Sequence, residues 1–425
     1  MVFGVFRASR NNPHEESSGG ILDIQLKCFL YGAILPNENI RSSPWKLRMF
    51  NLYSVCSLLM YVPSVSAQCY ALYLESENIT ELTDTFFTII AALLHCSISS
   101  YLLTQRKALE HLVLKTNEAF AEFTSKLPLE TKHTLIMSDA KKKIRQYTLI
   151  FIISIVITGF LWLAIPNIFW HIHNAKEKDG EDKIHWEHLS YRMWLPPGAL
   201  EHPTYHFIYT YQVVLIINLL TDNIGYNSMY YALTIYTAAH FKVLATLLED
   251  IDQYITSSDN TKSSEQNGIR SFLDGGTGFA TDMLSKLSGQ DETDSNRKKN
   301  SQLEEYHSLD PRHITSIPIA EDYLVNCVKY HQALLQYVED VDAIFGTLLF
   351  IFFSLNGVMM CLAVVLSTLG KGSTGSIKFM SGVITVWIPT FLICWFGEHL
   401  TDESEEVERV VYGCKWFDAS TRFKK

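Results

Sequence analysis

The chain has 425 residues, of which 48% are hydrophobic and 19% are charged, and its formal net charge is −10. Soluble domains carry about 25% charged residues, so this composition favours a membrane protein, and the negative balance argues against a nucleic-acid partner. Phenylalanine, tyrosine and tryptophan contribute 24, 21 and 8 residues, an aromatic content that suits membrane interfaces or an apolar binding cavity.

The motifs of common enzymes are absent from the sequence. The 8 cysteines show neither C-x-x-C spacing nor zinc-ligand spacing with histidine. The H-E-x-x-H, G-x-S-x-G, phosphate-loop and dinucleotide signatures are also missing. The sequence therefore predicts no metal site, no cofactor and no enzymatic activity.

The first 45 residues are mixed and polar and are predicted to be a cytosolic segment. Residues 1–20 lack the apolar run of a signal peptide, so we expect the first spanning helix to act as the insertion signal. Residues 21–35 form an apolar patch interrupted by Asp23, Gln25 and Lys27. That pattern favours a helix lying at the membrane surface.

Six apolar runs are long enough to cross a bilayer, namely residues 50–74, 84–104, 147–170, 205–244, 344–368 and 379–396. Pro63 is expected to kink the first run. The fourth run is interrupted by Asp222 and Asn223, so it is either one helix that projects beyond the bilayer or two helices. Asp222 is accordingly either a functional carboxylate at membrane depth or part of a wet helix extension.

Loop charge favours a single crossing by the fourth run. With one crossing and a cytosolic N-terminus, most of the 35 Lys and Arg residues fall on the cytosolic side, as the positive-inside rule predicts. The glycosylation sequon at Asn78 then lies in the first outside loop. We expect a multi-pass plasma-membrane protein with both termini in the cytosol.

A motif follows the sixth run. It is similar to the pattern C-x-F-G-x-x-L-x-x-E-S-x-x-V-x-x-A-x-Y-x-x-x-W in the penultimate helix of insect odorant receptors, with Val410 at the position of the family's alanine. The matching residues are Cys394, Phe396, Gly397, Leu400, Glu403, Ser404, Val407, Tyr412 and Trp416. Residues 331–339 before the fifth run and the Trp194-x-Pro196 segment also resemble that family.

The resemblance implies an all-α, polytopic membrane helix bundle in which six of an expected seven transmembrane helices are present. The family's seventh helix would begin shortly after Trp416. The resemblance further implies a cation channel assembled as a hetero-tetramer with an odorant co-receptor subunit. This chain would be the odorant-tuning member, because the co-receptor's characteristic loop before helix 5 is not apparent.

The same resemblance implies a site for a small volatile, mostly apolar ligand between helices 2, 3, 4 and 6, in the outer half of the bilayer. The candidate ligand-binding residues are Phe86, Phe87 and Ile90 on helix 2, Thr158, Trp162 and Ile165 on helix 3, Tyr209, Gln212 and Ile216 on helix 4, and Val383, Ile384 and Trp387 on helix 6.

The predicted organisation is a cytosolic N-terminal segment, four spanning helices that form the ligand-binding bundle, a disordered cytosolic loop, two further spanning helices and a cytosolic amphipathic tail. The corresponding residues are 1–45, 46–255, 256–320, 321–398 and 399–425. The loop prediction depends on the Ser, Thr, Asp, Asn and Gly content of residues 256–303.

Other classes of membrane protein remain open at this point. They are a gustatory-type or other chemosensory receptor and, less favoured, a G-protein-coupled receptor or a transporter. A G-protein-coupled receptor needs an extracellular N-terminus, opposite to the charge asymmetry, and no D-R-Y or N-P-x-x-Y motif stands at its usual place. Transporters usually show repeated halves, which this sequence does not.

Overall fold

The computed structural model describes residues 20–74, 79–118, 120, 131–174, 189–201, 203–251, 320–369 and 373–414. This part of the chain is helical and contains no strand, which confirms the predicted fold class. The helices are α1 (Asp23–Tyr31), α2 (Glu38–Arg41), α3 (Pro44–Leu59), α4 (Tyr61–Leu74), α5 (Ile79–Thr104), α6 (Arg106–Glu118), α7 (Thr131–Asn174), α8 (Thr204–Glu249), α9 (Ala320–Leu369) and α10 (Ser373–Gly413).

Within those residues, 6 helical stretches are long and apolar enough to cross a membrane, as predicted. They are Pro44–Leu74, Glu81–Thr104, Lys132–Ala164, Thr204–Glu249, Tyr323–Thr368 and Met380–Gly413. The first stretch combines α3 and α4, which are separated at Met60. Pro63 explains the break, because a proline has no N–H to bond the carbonyl four residues earlier.

The fourth apolar run is one helix, α8, of 46 residues. At about 1.5 Å per residue it is roughly 70 Å long, more than twice the hydrocarbon thickness of a bilayer. It lies at the centre of the molecule and packs against α1, α7, α9 and α10. From Asp222 to Leu248 most of its side chains are buried. Asp222 is therefore not in a wet extension but inside the protein, with 2% of its surface exposed.

The ends of α6, α8 and α9 that lie farthest from the cavity described below form an aromatic cluster. Tyr330 on α9 shares a hydrogen bond with the imidazole of His240 on α8, with 2.5 Å between oxygen and Nδ1. The hydroxyls of Tyr337 and Thr116 are 2.7 Å apart, and Tyr323 donates to the carbonyl of Leu247 at 2.8 Å. These contacts explain why helices continue well beyond the apolar runs.

One face of the apolar patch at residues 21–35 packs into the bundle, and its location at a membrane surface stays a prediction. Its helix, α1, packs against α8, and Phe29 has no exposed surface. Gln25 is also buried and donates its amide to Thr148 on α7 at 3.0 Å. The patch is apolar because it completes the core of the bundle.

Several predictions fall outside the described residues. These are the sequon asparagine Asn78, the loop at residues 256–319, the aromatic end of the motif at Trp416 and residues 1–19.

Candidate ligand cavity

A cavity of about 130 Å³ lies between α4, α5, α7, α8 and α10. Met359 of α9 and Tyr191 of the segment 189–201 complete its lining. On one side Phe87 of α5 and Trp162 of α7 are stacked, with 5.9 Å between ring centroids and 20° between ring planes. The remaining walls are mainly aliphatic, and the lining includes Ala91, Leu215 and Val386. This lining suits a small apolar ligand.

Four of the twelve candidate residues lie in the cavity wall. They are Phe87, Thr158, Trp162 and Ile216. Each comes from a helix that the sequence analysis placed at the ligand site. The walls also include α4, which the sequence analysis did not place there.

The other candidates lie elsewhere, mostly because of helical phase. Consecutive helix residues point about 100° apart, so Phe86, next to Phe87, is 46% exposed on the outside of the bundle. On α10 the wall is made by Gly382, Thr385 and Val386. Exposed on the other side of α10 are Ile384 and Trp387, and the Trp387 ring stacks on Phe391 at 5.2 Å.

Of the remaining five candidates, four have other contacts or have a side chain outside the described residues, and the fifth is Gln212. Ile90 and Val383 pack in the general core. Tyr209 donates to the carbonyl of Leu163 at 3.2 Å, and the side chain of Ile165 is outside the described residues. Ligand contact by these residues stays a prediction.

Gln212 does not line the cavity but holds one of the residues that do. Its Oε1 accepts the Ser190 N–H at 3.0 Å, and its Nε2 donates to the Tyr191 carbonyl at 2.9 Å. The Gln212 side chain is fully buried. It therefore fixes the backbone of the segment that carries the Tyr191 ring into the cavity.

The segment 189–201 is attached to the bundle at further points. The Trp194 N–H donates to the Ala67 carbonyl at 3.1 Å, and the Trp194 ring packs on Tyr70 with centroids 5.0 Å apart. Arg192 forms an ion pair with Glu81 on α5. The loop is thus held over α4 and α5 independently of the cavity.

Tyr61, Ser64 and Gln68 of α4 are cavity residues that the sequence analysis missed. A signal for them existed, because positions 61, 64 and 68 share one helix face and two of them are polar within an apolar run. Hydrogen bonds hold α4 against α8: Tyr61 donates to the Leu215 carbonyl at 2.9 Å, and Tyr211 donates to the Met60 carbonyl at 2.6 Å.

Among the described residues that line the cavity, none carries a charged side chain. Two buried ionisable side chains lie one layer away, where the Tyr61 ring contacts the His95 ring at 4.6 Å and the His95 Nε2 lies 3.4 Å from Asp222 Oδ2. Transfer of an ion from water into such a site is very costly. The cavity therefore favours an uncharged ligand.

The C-terminal motif lies at the other end of α10. Phe396 is buried and contacts the rings of Tyr147 and Tyr231 at 5.0 and 5.5 Å. Val407 is also buried, and Glu403 accepts a hydrogen bond from Lys242 of α8 at 3.2 Å. Tyr412 is 76% exposed. The motif thus joins α10 to α7 and α8 on one face.

Together, the fold and the cavity define a multi-pass, all-helical membrane protein with an uncharged cavity of small-molecule size between its helices. A family model described as 7tm Odorant receptor matches residues 78–425. The chain belongs to this odorant receptor family, which is a family of receptors and not of enzymes. The alternative classes left open by the sequence are thereby set aside.

Individual relatives agree with this membership. The chain is 27% identical to putative odorant receptor 85d of Drosophila melanogaster over 104 residues, which are 24% of this chain and 25% of that one. It is 30% identical to odorant receptor 59b of the same species over 111 residues, 25% of this chain and 27% of that one. The matched segments span about a quarter of these curated relatives.

Solved structures resemble the chain over nearly its whole length. The olfactory receptor OR5 from Machilis hrabei matches with a TM-score of 0.64 at 13% identity, covering 95% of this chain and 85% of that one. The same receptor in complex with eugenol matches with a TM-score of 0.60 at 13% identity, covering 95% and 88%. At this identity the likeness shows the fold alone.

Proposed function

We propose that this chain is an odorant-tuning subunit that binds a small, uncharged, mostly apolar volatile in the cavity. Binding gates a cation channel that the chain forms with a co-receptor subunit in a hetero-tetramer of the plasma membrane. The observation that carries the proposal is the uncharged cavity of about 130 Å³ lined by residues of α4, α5, α7, α8 and α10. Membership of the odorant receptor family supports the proposed assembly with a co-receptor.

Size and lining favour a volatile of about one ring. An apolar cavity of roughly 150 Å³ in another protein takes benzene, so the present cavity of about 130 Å³ has room for a ligand on that scale. The stacked rings of Phe87 and Trp162 offer a flat apolar face. A ligand buried against them gains the hydrophobic free energy of its whole surface.

The solved relative whose complex contains eugenol supports a small-ligand function. Eugenol is the ligand of that relative, and what the relative shares with this chain is the fold.

Trp162→Ala tests the site, with Trp387→Ala as the matched control. Removing the Trp162 ring takes away half of the stacked wall, so we expect the odorant concentration for half-maximal current to rise about tenfold or more. Trp387 is 51% exposed on the outside of α10, and its removal should leave that concentration within about threefold. The measurement is odorant-evoked current in cells that co-express the receptor and the co-receptor.

Comparison of the two tryptophan variants also tests which side of the helices contacts the ligand. Equal effects of both substitutions would place the ligand away from the stacked wall. Absence of any odorant-evoked current in the wild-type receptor with its co-receptor would reject the proposed function itself.

A topology experiment tests the membrane orientation. An epitope tag at the N-terminus should stain only after the cells are permeabilised, because the Lys and Arg distribution favours a cytosolic N-terminus. A tag inserted beside Gly198 is the control and should stain on intact cells. Gly198 has φ +80° and, among described residues, open space around it, so an insertion there is tolerated. Staining of the N-terminal tag on intact cells would show that the N-terminus is extracellular and that the proposed orientation is wrong.

A further inference from the structure

One wall of the cavity carries a continuous chain of hydrogen bonds. The Thr88 hydroxyl of α5 donates to Gln68 Oε1 of α4 at 2.7 Å. Gln68 Nε2 donates to the Ser64 hydroxyl at 2.9 Å, and Ser64 donates to the hydroxyl of Tyr191 at 3.2 Å. All four residues line the cavity and are buried. We call these four side chains the polar chain.

The three bonds within the polar chain leave two of its hydrogens unused. An amide has two N–H groups, and each hydroxyl has one O–H. In the part of the molecule that the structure describes, the phenolic hydrogen of Tyr191 and the second amide hydrogen of Gln68 are given no acceptor. Reversing the Ser64–Tyr191 bond only moves the free hydrogen from one hydroxyl to the other. Two donors are therefore left at a wall of an otherwise mainly apolar cavity.

A buried donor without an acceptor is unfavourable, and a ligand that supplies one removes that cost. The geometry points to a ligand that carries one uncharged acceptor oxygen, such as the oxygen of a ketone, ester or ether, on a hydrocarbon body of about one ring. The oxygen lies against Tyr191 and Gln68, and the body lies against Phe87 and Trp162. A hydrocarbon of the same shape leaves both donors unpaired and binds more weakly. This inference rests on the proposed function, since the cavity must first be the ligand site.

The polar chain is not needed to hold the loop. Gln212 bonds the backbone of Ser190 and Tyr191, and the Trp194 N–H bonds Ala67. Tyr191→Phe keeps the ring and these attachments and removes only the hydroxyl. Gln68→Met is a second variant, and it leaves the Thr88 hydroxyl with the Thr85 carbonyl at 3.0 Å as its acceptor. Both substitutions are therefore expected to preserve folding.

The test uses pairs of volatiles with one shape and different chemistry: acetophenone with α-methylstyrene, and cyclohexanone with methylenecyclohexane. In each pair a carbonyl oxygen replaces a methylidene group. Odorant-evoked current is recorded from the receptor with its co-receptor, at matched surface expression. In the wild type we expect the ketone to act at a concentration at least about tenfold lower than the alkene, the effect of roughly one hydrogen bond.

In Tyr191→Phe and Gln68→Met the preference for the ketone should fall to about threefold or less, through weaker response to the ketone. Tyr53→Phe is the matched control, because its hydroxyl bonds the Tyr31 carbonyl at 2.7 Å and Tyr53 does not line the cavity, and it should keep the wild-type preference. Equal potency of ketone and alkene in the wild type overturns the inference, as does a preference that survives both variants.

A receptor that answers to none of these volatiles also overturns the inference, because the ligand class is then wrong. The proposed function is rejected by a separate result, namely that no volatile of any class evokes a current.

Discussion

Gly382→Leu is expected to abolish odorant-evoked current, or to raise the half-maximal odorant concentration about a hundredfold. A Cβ added at Gly382 would lie 3.5 Å from Phe87 and 3.7 Å from Trp162, which is ordinary van der Waals contact. The backbone therefore accepts a side chain there, and the three further carbons of leucine project into the cavity. A cavity of about 130 Å³ cannot hold those carbons and a one-ring ligand together, because protein interiors are already close-packed.

Gly357→Leu on α9 is the matched control for Gly382→Leu. Among the described residues, nothing lies within 4 Å of a Cβ added at Gly357, so the same change in side chain meets open space. We expect its surface expression and odorant response to equal those of the wild type. An intermediate variant, Gly382→Ala, should show a partial loss of sensitivity. If Gly382→Leu reaches the surface and responds like the wild type, the ligand does not occupy this cavity.

The spanning helices were predictable because hydrophobicity alone selects them. Every apolar run in the sequence corresponds to a helix of sufficient length. Hydrophobicity alone does not give the extensions of α7 and α9, since the extended parts are not apolar enough to be spans. A second signal was nevertheless present in α9: Tyr323, Cys327, Tyr330, Leu334 and Tyr337 are all buried. Their alternating spacing of four and three residues is the heptad pattern of a packed helix.

The cavity was predictable only as a region. A spanning helix is apolar on all sides, so its sequence does not tell which face meets lipid and which meets a ligand. Phe86 and Phe87 are equivalent by composition, yet only Phe87 lines the cavity. The contribution of Tyr191 was beyond prediction for another reason: it depends on a loop that is folded onto the bundle by Gln212, from a different helix.

Asp222 illustrates how packing resolves an ambiguity that sequence leaves. From the sequence it was equally a wet residue at a helix exit or a carboxylate at membrane depth. In the structure it is buried, accepts a hydrogen bond from Ser99 at 3.0 Å, and lies 3.4 Å from His95 Nε2. These partners come from α5, 123 residues or more earlier in the chain. No sequence pattern close to Asp222 predicts these partners.

The second substitution with a large expected effect lies in the same region, at the contact between α1 and α8. Two glycines permit a close approach of these helices. Phe29 of α1 lies against Gly225 of α8, where an added Cβ would be 3.0 Å from the phenylalanine ring. Reciprocally, a Cβ added at Gly32 would overlap Asp222 Oδ1 and lie 3.0 Å from its Cγ and 3.2 Å from the Cys28 carbonyl. The two helices can therefore pack this closely only because glycine has no side chain at these two positions.

Gly32→Ala is expected to destabilise the receptor by about 2–3 kcal/mol and to reduce its surface expression severalfold. The φ of Gly32 is −75°, which alanine adopts without strain, so the effect comes from the contact alone. Asp222 can move only by breaking its hydrogen bond with Ser99 in a buried site. The measurement is the melting temperature of the detergent-solubilised receptor, with Gly413→Ala as control, since among described residues nothing lies within 4 Å of that position.

A double-mutant cycle separates this contact from a general intolerance of change. Asp222→Ala alone should destabilise the protein, because it leaves the buried His95 and Ser99 side chains without their partner. In the double variant the methyl group introduced by Gly32→Ala occupies the space that the carboxylate vacates, so the two losses should not add. We expect a coupling free energy of about 1 kcal/mol or more in favour of the double variant. Strictly additive losses would mean that Gly32 and Asp222 do not touch and that α1 is docked differently on α8.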